Sequence, residues 1–424
     1  MTIENSVFPL EWLRSAFPSL AVADDGNSRI YLDNPAGTQV PQRVADAICN
    51  TVLYENANLG GMFTTSQAAG RVIERGHQAM ADLLGCDSDE IIIGPNMTTL
   101  TYHFSRTIGR GLKAGDEIIV TQMDHEGNVS PWLQLAEDLG LVIRKLAFDR
   151  DSWRIENEAL AALLTDRTKV LALSYASNLT GSINNVKELV ALARERGILT
   201  YVDAVQFTPH GLVDVRDIDC DFLACSAYKF FGPHLGVLYG RRAVLEELDP
   251  YKCRCSTNEL PYRFETGTPQ IELIAGLAAA VDHFAALGEK AGGTGPVRNR
   301  IGVAFKKSIA HEGILAQKLI DGLMNIRGVS VQGITNPADI AHRVPTVSIV
   351  IEDIQPASLV QRLNEENIFC WSGHNYAWEV VHQLGIDPKS GVVRIGIANY
   401  NTTSEIDKTI ESVERNIAML RQER

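Results

Sequence analysis

The sequence predicts an α/β fold, with a large domain built on a mostly parallel sheet of the seven-stranded type and a small α+β domain after it. Three observations predict it. Between about residues 41 and 240, short Val/Ile/Leu runs alternate with amphipathic helical patterns, which is the signature of a sheet covered on both faces. A Gly-rich break, "EKAGGTG", follows at 289–295, and the texture changes beyond it. The chain has 424 residues, more than one small core organises. The divisions expected are an N-terminal segment at 1–25 packed on the small domain, a large domain at 26–292, and a small domain at 293–424.

Taken in order, "QRVADAICNTVLYE" and "RVIERGHQAMADLLG" carry helical apolar spacing. "DEIIIG" is a strand followed by a helix from about Thr98. "DEIIVTQ" precedes the helical "VSPWLQLAEDLG", and "LVIRKLAF" precedes "IENEALAALLT". "TKVLALSYAS" leads to "VKELVALARERG", and then "ILTYVDA", "FLACSA" and "GVLYG" follow as strands. The apolar run "IELIAGLAAAVDHFAALG" is interrupted by Asp282 and His283 and reads as a buried helix rather than a membrane span. Beyond the break, "GVSVQG", "TVSIVIED", "PASLVQRLNEENI", "VVRIGIA" and a final amphipathic helix make up the smaller domain.

Composition narrows the function. Charged residues make up 21% and hydrophobic residues 45%, ordinary for a globular enzyme-sized chain, and the net charge is −13. That acidity argues against nucleic acid or an anionic membrane as the main partner. The start has no basic stretch leading into an apolar core, so no secretory signal is expected and the location expected is cytoplasmic. Seven scattered cysteines include no CxxC pair; they read as reduced thiols, and no metal site is expected.

In sheets of this kind chemistry gathers at the carboxyl ends of the strands. Those ends deliver Asp203 and Gln206 ("YVDAVQ"), Asn178 ("SYASN"), and Ser226 and Lys229 ("CSAYK"). A lone lysine after a strand ordinarily runs its chain out to solvent. A lysine held among an acid, two amides and a hydroxyl has another use. Desolvation lowers its pKa and makes it a nucleophilic amine. An amine with a nearby carboxylate suits pyridoxal phosphate, the lysine forming the Schiff base and the acid pairing the pyridinium nitrogen. "IIIGPNMTTLTYHFSR" offers a strand, a Gly-Pro turn and a helix start, a geometry that binds phosphate. Thr98 taken alone reads equally well as a helix N-cap.

With these residues in view, the chain resembles the fold-type-I pyridoxal phosphate enzymes of aminotransferase class V, nearest the cysteine desulfurase and selenocysteine lyase branch. The resemblance runs from "YLDNPAGTQVP" to "IANYNTTSEID" and is strongest over "DAVQFTPHGLVDVRDIDCDFLACSAYKFFGPHLGVLYG". It implies the aspartate aminotransferase-like fold, pyridoxal 5'-phosphate as cofactor, a small amino acid as substrate, and a homodimer. It implies Lys229 as the Schiff-base lysine, Asp203 on the pyridine nitrogen, and Gln206 on the ring hydroxyl oxygen. His125, from "QMDHEGNVSPW", would stack on the ring and move protons. Asn178 would sit by the ring oxygen and the substrate carboxylate. Met97, Thr98 and Ser226 would hold the phosphate, joined by Thr268 of "RFETGTP" reaching the partner's cofactor phosphate. Arg394 of "VVRIGIANYN" would grip the substrate carboxylate, a task that suits a planar guanidinium.

Two positions depart from the pattern. The place of the histidine that precedes the lysine in desulfurases holds Tyr228, whose phenol can still donate to a phosphate oxygen. In "IFCWSGHNYAWEVV", Gly373 and His374 are present, but Tyr376 stands where desulfurases carry the persulfide cysteine. Tyrosine cannot replace an accessible thiolate, and Cys370, six residues earlier, reads as a core residue. The expectation is a desulfurase-like enzyme acting on a C–S, C–Se or related β-bond, with an aminotransferase or epimerase as the alternative and a non-catalytic binding protein behind both. His374, Tyr376 and Trp371 are expected to shape the substrate end of the pocket.

Overall fold

The computed structural model describes residues 8–423. The larger sheet has seven strands: β1 (Ile91–Gly94), β2 (Glu117–Thr121), β3 (Val142–Leu146), β4 (Thr168–Ser174), β5 (Leu199–Asp203), β6 (Phe222–Ser226) and β7 (Gly236–Gly240). They lie side by side in the order β1-β7-β6-β5-β4-β2-β3. Strands β2 to β6 pair in parallel, while β7 runs antiparallel to both β6 and β1. The reason is the length of the connection. Residues 227–235 join β6 to β7, too few for a parallel crossover, which takes a dozen or more. The chain turns back where β6 ends, and Lys229 stands in that turn.

The long apolar helix Ile271–Lys290 is buried in the larger core among helices Gln42–Tyr54, Thr64–Leu84 and Val297–Met324. Its length and composition alone would allow it to cross a membrane, but 72% of its most apolar 18-residue stretch is buried inside the protein. Gly288 lets this helix lie directly on the next one: a Cβ there would stand 1.7 Å from the Arg300 carbonyl oxygen.

Helix Val297–Met324 is absent from the sequence reading. Its buried face mixes Ser308 and Glu312 with Ile301, Phe305 and Leu315, so its apolar period is interrupted. The small sheet comprises β8 (Val329–Gln332), β9 (Thr346–Ile351), β10 (Trp371–Gly373) and β11 (Val392–Gly396), in the order β8-β9-β11-β10.

Residues 1–7 of the N-terminal segment lie outside the described residues. From Phe8 on, the segment straddles both parts of the molecule rather than resting on the small domain alone. Leu13 and Phe17 belong to the larger core. Trp12 stacks on His283 at 5.8 Å, and Arg14 pairs with Glu405 at 3.0 Å. Ile30 and Leu32, placed by the sequence in the large domain, are buried in the smaller core. The cause is local pairing: Ile30–Tyr31 lies parallel to Ile368–Phe369.

Candidate active site

A cavity of about 660 Å³ opens at the carboxyl ends of β4, β5 and β6 and is closed by the small domain. Lys229, His125, Asp203, Gln206, Met97, Thr98, Asn178, Ser226, Tyr228, Arg394 and Tyr376 all line it. Two other expected residues do not. Thr268 is exposed and lies in a separate depression beside Thr51 and Asn58. His374 is half-buried behind the wall, its Nδ1 accepting the Tyr376 N–H at 3.0 Å.

Each group is set by its surroundings. The Lys229 ammonium donates to the Pro35 carbonyl and sits 4.9 Å from the Tyr228 ring centroid. Burial and the charge of Arg394 push its pKa down to about 7, against the pull of Asp203 and Asp33. Asp203 ends β5, accepts the Val205 N–H at 2.9 Å, and is pushed up to about 6 by burial. Burial, with the charges of Lys229 and Arg394, holds His125 at about 3. His125 is therefore neutral, and because its Nδ1 accepts the Gly127 N–H at 2.9 Å, its proton is on Nε2. Tyr228 stacks on His234 with ring centroids 4.9 Å apart, and burial raises its phenol pKa.

The two domains meet through side chains of the site. Gln206 donates to the Thr346 hydroxyl at 3.1 Å, and Asn178 donates to the Asn375 carbonyl at 2.7 Å. Arg394, 4% exposed on β11, donates to the Asn178 main-chain carbonyl at 3.1 Å, and burial pulls its pKa down to about 10. The rings of Tyr376 and His125 lie 5.4 Å apart at 27°.

The site contains further residues that the sequence reading did not single out. Asp33 adds a carboxylate whose charge acts on both Lys229 and Arg394. Asp124 is fully buried and accepts from the Asn128 amide at 2.7 Å, the Ser174 N–H at 3.1 Å and the Thr121 hydroxyl. It thereby fixes the turn that carries His125. Ser174, Asn375, His234 and Pro35 line the cavity as well. Strand-end reasoning reaches Ser174, which ends β4 as Asp203 ends β5. Asp33 and Pro35 fall in "YLDNPAG", where no strand end pointed.

The cavity suits a polar, phosphorylated, planar guest. Asn178 Oδ1, Ser174 Oγ and Arg394 Nε are buried there with no partner among the described residues, and such groups are costly unless something binds them. At one end, helix Met97–Gly109 begins with Asn96 capping the Thr99 N–H at 2.8 Å. The Met97 and Thr98 N–H groups stay available to an anion. Gly236 makes this close fit possible, since a Cβ there would meet Met97 N at 2.5 Å.

A seven-stranded sheet with one reversed strand, and a half-neutral lysine at its edge opposite a buried carboxylate, define a pyridoxal phosphate-dependent enzyme of fold type I. Known proteins carry the identification further. The aminotransferase class-V family profile matches residues 30–409. A probable cysteine desulfurase 2 of Mycobacterium leprae is 32% identical, over 98% of this chain and 98% of its own. The aminotransferase-like protein FGM3 of Gibberella zeae is 30% identical over 97% of this chain and 99% of its own. The solved apo structure of a cysteine desulfurase from Thermococcus onnurineus matches with a TM-score of 0.85 and 28% identity, covering 96% of this chain and 98% of that one. The chain belongs to the aminotransferase class-V family, is cysteine desulfurase-like, and uses pyridoxal phosphate.

Proposed function

We propose that the chain acts on the α- and β-carbons of a small amino acid and releases a β-substituent, without a persulfide cysteine of its own. One observation carries this reading. Lys229, Asp203, His125 and Arg394 meet in one cavity that none of the seven cysteines lines. Cys370 supports it further: it is 5% exposed in the smaller core, and burial pushes its thiol up to about 12. Such a thiol is protonated and shielded at neutral pH, the opposite of what sulfur transfer needs.

When bound, pyridoxal phosphate supplies an electron sink for negative charge formed at the substrate α-carbon. Met97, Thr98, Ser226 and Tyr228 would hold its phosphate, Asp203 its ring nitrogen, Gln206 its ring oxygen, and Lys229 the carbonyl carbon. Arg394 orients the substrate by its α-carboxylate, with Asn178 beside it. Lys229 Nζ takes the α-proton. His125 lines the same cavity, its Nδ1 tied to the Gly127 N–H, which leaves the Nε2–H as its donor to a guest. Tyr376 and the segment behind it, including His374, cover that end from water. Thr268, exposed and away from this cavity, is read as serving the site of a second copy in a homodimer. The acidic surface and unpaired cysteines suit a cytoplasmic enzyme.

The purified, cofactor-loaded protein should form pyruvate from β-substituted alanines with good leaving groups, and Lys229→Ala should abolish this. Rapid sulfide release with alanine formation from cysteine would overturn the reading. A keto acid formed together with pyridoxamine phosphate would support the transaminase alternative.

A further inference from the structure

We propose that the substrate carries an aromatic group, joined through sulfur to its β-carbon, which is held between Trp371 and Tyr376. The proposal rests on the function given above and adds the class of substrate. Trp371 and Arg394 are direct partners across the antiparallel pair β10 and β11. Side chains of such partners share a face with their Cβ atoms about 5 Å apart, and both line the cavity. A carboxylate on Arg394 therefore brings the rest of the amino acid beside the indole.

Tyr376 bounds the other side. It is 64% exposed, yet its position is fixed. Its carbonyl accepts the Glu126 N–H at 2.8 Å, its N–H is held by His374, and its ring lies over His125. Its φ of 58° is left-handed, a conformation that a tyrosine adopts only when its contacts require it. Trp371 is 54% exposed. Two large aromatic surfaces left open at the lip of a binding cavity mark a contact for an apolar, planar group. The thiol of cysteine carries no planar surface to lay against either ring. In the reaction inferred, Lys229 takes the α-proton and the Cβ–S bond breaks with its electron pair leaving on sulfur. The thiolate is protonated to the aryl thiol, and one water converts the remaining fragment to pyruvate and ammonium.

The test compares S-phenyl-L-cysteine with S-methyl-L-cysteine as substrates of the holoenzyme, in the wild type, Trp371→Ala, Trp371→Phe and Tyr376→Ala. Because the leaving groups are the same in every variant, the ratio of the two kcat/KM values isolates the aromatic contact. We expect Trp371→Ala and Tyr376→Ala each to lower that ratio at least tenfold, and Trp371→Phe to keep most of it. The affinity of α-methyl-S-phenylcysteine, which has no α-proton to lose, is measured by calorimetry and should weaken tenfold in the two alanine variants. Ratios and affinities unchanged within twofold overturn the aromatic grip, and pyruvate from S-methylcysteine would then leave the proposed function standing. If neither substrate turns over, the proposed function fails, while the analogue's affinities still decide the grip.

Discussion

Arg394 and Asn178 are joined directly, the guanidinium of one donating to the main-chain carbonyl of the other at 3.1 Å across the domain boundary. The contact holds a buried cation in place with its Nε still unpartnered and ready for a carboxylate. Arg394→Lys keeps the charge but loses the fork. The expected result is a rise in KM of roughly 30-fold or more, from about 2 kcal/mol of lost carboxylate binding. Steady-state kinetics on any accepted amino acid measures it; an unchanged KM would place the carboxylate elsewhere.

Lys229 in cofactor-free protein should be the most acylation-prone lysine at neutral pH. Its pKa is pushed down to about 7, whereas an ordinary lysine near 10.4 is only about 0.04% neutral there. Labelling with acetic anhydride from pH 5 to 9, followed by peptide mapping, should show reactivity at Lys229 rising through pH 7 and then levelling off. A rise continuing toward pH 10 would contradict the assignment.

His283 should make the fold acid-sensitive. It is fully buried between Trp12, Phe17 and Phe231, with neither ring nitrogen hydrogen-bonded among the described residues. Burial holds its pKa at about 3. Between that value and the unfolded value of about 6.5, the unfolded chain binds the extra proton, so stability falls as pH falls, by up to about 1.4 kcal/mol per pH unit. The contribution is fully present above pH 6.5. His283→Leu should remove this slope, so that its stability relative to wild type improves from pH 7 to pH 4.5 in urea unfolding.

Cys370→Ala should leave turnover within about twofold of wild type, since a core cysteine acts as a small hydrophobe. In the native protein, thiol reagents should modify the exposed Cys49, Cys253 and Cys255 and spare Cys370. Loss of activity in the variant without loss of stability would restore Cys370 as a sulfur acceptor.

Gly288→Ala should destabilise by about 1–3 kcal/mol or more, because the added methyl meets main chain rather than a side chain that could turn aside. A lowered denaturant midpoint checks this. Gly292→Ala serves as a comparison of a different kind: among the described residues no atom lies within 4 Å of a Cβ there, and its cost is the left-handed φ of 93°.

Much of the site was legible because strand ends are visible in sequence. The last residues of "LTYVD" and "FLACS" are where β5 and β6 end, and they bring Asp203 and Ser226 to the cavity. Asp33 was not legible, since it sits at an isolated bridge to Gly396 rather than at the end of a regular strand. Asp124 was hidden for another reason: it is not among the residues that line the cavity and works by holding the turn that carries His125. The long helix at 297–324 escaped because a buried Glu312, paired with His210 at 3.0 Å, occupies an inward position where a periodic reading expects an apolar residue. Trp371 was visible as a letter, but its pairing with Arg394 depends on sheet register, which only the fold supplies.

The reversed strand β7 bears on how the chain can vary in length. Lys229 stands in a turn whose two arms are both interior strands, one paired to β5 and the other to β1. A residue added or deleted within Phe222–Ser226 or Gly236–Gly240 would have to slip that arm past two neighbours at once, turning the side chains beyond it to the opposite face. The two arms are therefore closed to insertion and deletion. Changes in length that spare the lysine belong in segments outside the sheet, such as the irregular run at 249–261, where added residues lengthen a surface loop and leave the register of the sheet untouched.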